Sequence, residues 1–170
     1  MRLTLRQLII AALLGALVVV LELLGIGRIP MPTGVAATIL HIPAILGGIL
    51  EGPLVGALVG FFFGLFSFLR PSSPIFSDPL VAFLPRLFIG VVAYYIYRAL
   101  GETRLSVAVA AVGGTLTNTV GVLGLILLRG YLPLKAVLAI AATHGIPEIV
   151  VSVIIVTPVA LALRRYPRTA

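Results

Sequence analysis

The sequence has no cysteine and no tryptophan, and only five acidic residues in 170. Without cysteine there is no disulfide framework, no thiolate metal site and no cysteine nucleophile. Charged residues make up 10% of the chain, against about 25% in an ordinary soluble domain. Chemical motifs are missing too. There is no G-x-x-x-x-G-K-[ST] to bind nucleotide, and His144 and Glu148 form H-x-x-x-E, which is not the H-E-x-x-H zinc pattern. Neither a nucleophile–base pair nor a clear pair of inverted halves is visible.

What remains is apolar. Hydrophobic residues are 61% of the chain, with a mean hydropathy of +1.24, so the sequence reads as an all-α integral membrane protein. No segment between the apolar runs is long enough to fold alone, so residues 1–170 are expected to form one membrane domain. Helices are expected near 8–25, 35–50, 53–69, 79–98, 105–128 and 136–163. The cuts fall at RIPMPTG, EGP, RPSSPIFSDP, RALGETR and RGYLPLK, all rich in helix breakers or charge. The first run follows a charged MRLTLRQ, yet it is long for a signal core and further spans follow it, so it is read as a retained helix.

The net charge of +7 could suggest nucleic acid in a soluble protein. Here the cations sit in short connections and at the ends, where orientation in the membrane explains them and no nucleic-acid partner is needed. Six spans put both termini on one side. Arg2, Arg6, Arg98, Arg104, Arg164, Arg165 and Arg168 then share that side, against Arg28, Arg70, Arg129 and Lys135 on the other. The positive-inside rule makes the termini cytoplasmic.

Five polar groups fall inside apolar runs. Counting along the expected helices places His41, Arg86, His144 and Glu148 roughly 9, 10, 12 and 18 Å from the outer helix ends, with Asn118 in the outer half of the core. A charge at a helix centre costs about 2.5–3.5 kcal/mol on insertion scales, so such groups are paired or line a wet cavity. His144 and Glu148 are four apart and share a helix face. Two readings follow: an outward-facing pocket of Arg86, Asn118, His144 and Glu148, or an Arg86–Glu148 pair joining helices four and six. His41 fits a ligand role or an interfacial helix end equally. The loop RPSSPIFSDP, with three prolines and an exposed Ile75–Phe76 pair, suits a rigid lid or a plain connector.

Small residues form two stripes. Gly52, Gly56, Gly60 and Gly64 recur along the third helix, and Ala12 and Ala16 lie one turn apart on the first. Each suits either internal packing or docking against another membrane protein.

Taken in order, HIPAILGGILEGPLVGALVGFFFG, DPLVAFLPRLFIG, GTLTNTVGVLGLI and GIPEIVVSVIIVTPV resemble the substrate-binding S components of energy-coupling-factor (ECF) vitamin importers. The resemblance covers nearly the whole chain. It implies six helices in a prokaryotic plasma membrane and a vitamin site near the extracellular face, built from helices four to six with loops one and three. It implies no enzyme activity and no cofactor in this chain, which would work with a transmembrane coupling subunit and two cytoplasmic ATPases. Arg86, Asn118 and Glu148 match the family's site positions, His144 stands where another polar residue is more usual, and His41 and Phe76 are further candidates. Ala12 and Ala16 match the docking face for the coupling subunit. The HIP and LPR pattern is most similar to the pantothenate and folate branch. Arg86 suits a carboxylate, which favours pantothenate, whereas folate would require stacking surface from Phe76, Phe83, Tyr94 and Tyr95. Two rivals are an autonomous channel or proton-coupled carrier using His144 and Glu148, and an intramembrane enzyme using them as metal ligands.

Overall fold

In the computed structural model, the described residues are 3–29 and 37–164. Arg2, Arg165, Arg168 and the expected start of the second helix at residues 35–36 lie outside them. The first helix, α1, spans Leu5–Leu23. It begins three residues before the expected Leu8 because Thr4 and Gln7 cap it reciprocally: Thr4 Oγ1 accepts from the Gln7 amide at 3.2 Å, and Gln7 Oε1 accepts from the Thr4 amide at 3.0 Å. Beyond its end, two short strands, β1 (Arg28–Ile29) and β2 (Ala37–Thr38), pair antiparallel.

The second helix, α2, spans Ile42–Glu51 and is shorter than the sequence suggests. Ala37 and Thr38 are paired strand, and Pro43 falls in the first turn, where its missing N–H costs nothing. His41 is therefore the residue before the helix, not a position well down its length. Gly52 follows with φ +105°, a conformation side-chain-bearing residues rarely adopt, and Pro53 opens α3 (Pro53–Leu69). The EGP break is thus a true helix boundary. After a one-turn 3-10 helix at Pro74–Ser77, α4 runs Pro79–Ala99, capped by Asp78, whose carboxylate accepts from the Leu80 amide at 2.9 Å. The last two helices are α5 (Arg104–Leu128, capped by Thr103) and α6 (Leu134–Arg164).

Four of these helices, α1, α4, α5 and α6, are long and apolar enough to cross a membrane. The protein is an integral membrane protein of helical construction. The 10-residue α2 reaches only roughly 15 Å. It occupies the centre, packed against every other α-helix, with Ile42 through Ile49 all buried.

Contacts at the helix ends fix the directions. Arg6 pairs with Glu51 at 2.9 Å, joining the start of α1 to the end of α2. The Arg164 guanidinium donates to the Glu102 carbonyl at 2.9 Å, joining the end of α6 to the α4–α5 turn. At the other end Arg129, after α5, pairs with Asp78 before α4 at 3.2 Å. Gln7, Glu51, Arg98 and Glu102 line one cavity, so the start of α1 and the end of α6 share one end of the bundle. The hairpin, the 3-10 turn and the α5–α6 turn share the other.

Of the glycine stripe, Gly56, Gly60 and Gly64 are buried against α4, whereas a Cβ on Gly52 would meet nothing. A Cβ added at Gly60 would stand 2.1 Å from the Arg86 carbonyl oxygen, and one at Gly90 would stand 2.4 Å from Gly56 Cα. Backbones this close leave no room for a second protein, so the docking alternative for this stripe is set aside. On α1 the arrangement is reversed: Ala11, Gly15 and Val18 face the bundle, and Ala12 and Ala16 are exposed.

Candidate functional site

At the hairpin end, α4, α5 and α6 enclose a cavity of about 110 Å³. The spacing of polar residues explains why they meet. Arg86 lies two turns into α4, Asn118 and Thr119 lie on the buried face of α5, and His144 and Glu148 share one face of α6. Thr38 of β2 and Ser73 and Phe76 from the α3–α4 connection complete the ring. The remaining wall is aliphatic: Ile75, Val122, Leu123, Ile126, Leu132 and Ile140. One cavity thus has a polar floor and an apolar side, the combination that orients a small molecule bearing both kinds of group.

Arg86 is 3% exposed. Its Nη1 donates to the Val81 carbonyl, and its guanidinium carbon lies 5.0 Å from the Phe76 ring centre and 5.3 Å from that of Phe63. Both rings stabilise the cation through their faces. Arg86 Nε has no hydrogen-bond partner, and neither has Asn118 Oδ1. Buried polar atoms are nearly always satisfied by protein or water, and of the five unpartnered ones among the described residues these two belong to side chains that line the cavity.

Glu148 differs. Its Oε1 accepts from the Thr38 amide at 2.7 Å and its Oε2 from the Thr119 hydroxyl at 2.9 Å. Among the described residues it makes no close ion pair with Arg86, although the two opposite charges attract across the cavity; the groups that hold its oxygens are Thr38 and Thr119. His144 is fixed by Nδ1, which lies 3.0 Å from the Ile140 carbonyl oxygen and 2.9 Å from Thr143 Oγ1. No group of three or more His, Cys, Asp or Glu able to hold a metal occurs among the described residues.

Five of the six expected site residues, Phe76, Arg86, Asn118, His144 and Glu148, line this cavity. His41 does not. It is fully buried, with Nε2 3.1 Å from the Thr115 hydroxyl oxygen, one turn along α5 from Asn118 toward the opposite end. Thr115 donates in turn to the Ala111 carbonyl, which leaves its oxygen free to accept from His41. Of the four rings a larger substrate would need for stacking, Phe76 lines the cavity and the other three lie elsewhere. Phe83 stacks with Phe61 and Phe68, Tyr95 is exposed, and Tyr94 lines a separate cavity with Gln7 and Arg98 at the opposite end.

A smaller cavity of about 60 Å³ adjoins the first and shares Thr38, Phe76 and Arg86 with it. Its wall includes Glu22 and Arg28, an ion pair, and Arg28 also donates to the Arg70 carbonyl at 3.1 Å. Sequence reasoning missed Thr38, Ser73 and Thr119. Thr119 lies within GTLTNTVGVLGLI, and its place one residue from Asn118 is the available signal. Thr38 gave no signal, because it enters the site through its backbone N–H.

A family model described as "ECF transporter, substrate-specific component" matches residues 6–160. The chain belongs to this ECF family. It is also similar to the pantothenic acid transporter PanT of Lactococcus lactis subsp. cremoris (strain MG1363), at 35% identity in an alignment that covers 79% of this chain and 81% of that protein. An ECF substrate-specific component is a transport protein, not an enzyme, and the apolar helices agree with its embedding in a membrane.

Proposed function

We propose that this ECF substrate-specific component captures pantothenate in the cavity between α4, α5 and α6 and delivers it through an ATP-driven module made of other subunits. The observation that carries the reading is the pair of open buried groups, Arg86 Nε and Asn118 Oδ1, set beside an aliphatic wall. Pantothenate has one carboxylate for a guanidinium, an amide and hydroxyls for Asn118, His144 and Ser73, and a branched aliphatic centre for Val122, Leu123 and Ile126. Similarity to PanT supports the same substrate.

In this reading the chain is one domain in the plasma membrane of a prokaryote and crosses six times, with α2 and the residues leading into it counted as one crossing. The six helices alternate in direction, and the arginine-rich end that holds the start of α1 and the end of α6 is cytoplasmic. The cavity then opens to the outside. Ala12 and Ala16, exposed on α1, offer a shallow groove to a transmembrane coupling subunit, with two cytoplasmic ATPases beyond it.

The test is binding of pantothenate to the purified chain by calorimetry, with Arg86→Ala beside the wild type. A wild-type complex that the substitution weakens at least tenfold, about 1.4 kcal/mol, supports the assignment. Equal binding by both proteins places the carboxylate elsewhere. Uptake by vesicles containing this chain alone, without ATP, would make it a self-sufficient carrier instead.

A further inference from the structure

Glu148 lines the cavity, yet its chemistry differs from that of Arg86 and Asn118. Each of its oxygens already accepts a hydrogen bond, and the two donors come from different parts of the fold: the backbone amide of Thr38 in β2 and the side chain of Thr119 in α5. Thr38 is itself locked into the hairpin base. Its hydroxyl donates to the Gly27 carbonyl at 3.2 Å and accepts from the Leu40 amide at 3.1 Å, while the Ile39 amide donates to the same Gly27 carbonyl at 3.0 Å. A shift of the Glu148 carboxylate would therefore move the strand as a unit. Both donors also border the cavity.

We propose that Glu148 is a positioning residue: its carboxylate clamps β2 to α5 and α6 and so fixes one wall of the cavity, while Arg86 and Asn118 meet the substrate. The proposal rests on the substrate-binding reading above for its consequence, but not for its geometry. Removing the carboxylate strands a part-buried backbone N–H, and losing one partner outright costs more than exchanging one hydrogen bond for another. The strand would then seek water, and bound substrate would escape through the loosened wall. Glutamine can hold the same clamp. Its carbonyl oxygen accepts from the Thr38 amide, and its NH2 donates to the Thr119 oxygen, whose own proton turns to the carbonyl one helical turn back.

The experiment compares Glu148→Ala, Glu148→Gln and Thr119→Val with the wild type in the full chain, with pantothenate as the probe. It reads dissociation rate by rapid dilution, and hydrogen exchange of the Thr38 amide without ligand. Expected are a dissociation rate at least tenfold faster in Glu148→Ala, a change at least fivefold smaller in Glu148→Gln, and Thr38 exchange that is fast in Ala and slow in Gln. Thr119→Val should fall between them. Glu148→Gln losing affinity as fully as Ala while keeping Thr38 protected would mean that the charge acts on the substrate, and would overturn the proposal. So would an unchanged Thr38 exchange rate in Glu148→Ala. If the wild type binds no pantothenate, the substrate assignment fails by itself, and the ligand-free exchange still decides for or against the clamp.

Discussion

The two sides of α4 are built on opposite principles. Toward α2 and α3 the helix carries Gly90 and is met by Gly48, Gly56 and Gly60, and the backbones touch with no space for even a methyl group. Toward α5 and α6 it carries Arg86 and borders a cavity at the hairpin end, and its contacts with α5, such as Gly121 against Pro85, are with side chains rather than backbone. Arg86 belongs to both sides: its carbonyl abuts Gly60, and its side chain faces the opening. The comparison teaches that a rigid seam can hold a costly buried cation in place, so the cavity itself need not be tightly packed. In a bilayer, where apolar side chains gain little by leaving lipid, close backbone approach is what supplies that rigidity.

The largest expected effect comes from breaking the seam. Gly60→Val forces α4 away from α3, because the added carbon has backbone as its nearest neighbour; overpacking of this kind costs about 1–3 kcal/mol, occasionally more. A thermal unfolding scan in detergent should show a drop of several degrees, and pantothenate binding should fall with it. Unchanged stability would mean that the seam is not the rigid element.

On the other side of α4, loss of binding should come without loss of fold. Asn118→Ala removes an open acceptor that no protein group uses, so affinity should drop about tenfold, or about 1.4 kcal/mol, with little change in melting temperature. A variant that melts early yet binds normally when folded would reverse the distinction between the two sides.

A smaller effect is expected at the start of α4, beside the connection that lines the cavity. At Asp78, partial desolvation pushes the carboxyl pKa up. Hydrogen bonds from the Leu80 amide and the Tyr131 hydroxyl, with the charge of Arg129, more than offset it and hold the pKa below the ordinary 3.8. A depressed carboxyl contributes stability that is present above its unfolded pKa and lost as pH falls through the folded one. Wild type should therefore lose a little melting temperature relative to Asp78→Asn below about pH 4. Parallel pH profiles would show that this ion pair does not help to hold the connection over the cavity. The smallest effect on binding belongs to Ala12→Leu with Ala16→Leu, which touch neither side of α4. Affinity should stay near wild type, while copurification with a coupling subunit and ATP-dependent uptake are lost. Reduced affinity would make those alanines part of the internal packing.

Much of this division could be read from the residues themselves. Prolines and glycines at EGP and RPSSPIFSDP marked helix ends because their backbone chemistry is local. Arg86, Asn118, His144 and Glu148 stood out because polar groups in apolar runs are costly wherever the chain folds. Less legible was anything decided across sequence distance. The run Val35 to His41 is apolar enough to pass for helix, but Ala37 and Thr38 pair with Arg28 and Ile29, and the Thr38 amide is taken by a carboxylate 110 positions away. Likewise, Gly60 could not announce that its partner was α4, and nothing in Tyr94 revealed that it faces the opposite end.

The most direct test of the account is the identity of the molecule the protein carries. Mass spectrometry of small molecules released by denaturing the purified wild type, beside Arg86→Ala prepared in the same way, should find pantothenate near one per chain in the first and little in the second. A different compound released from the wild type and lost in Arg86→Ala would keep the site and contradict the substrate. Pantothenate released equally from both would contradict the site.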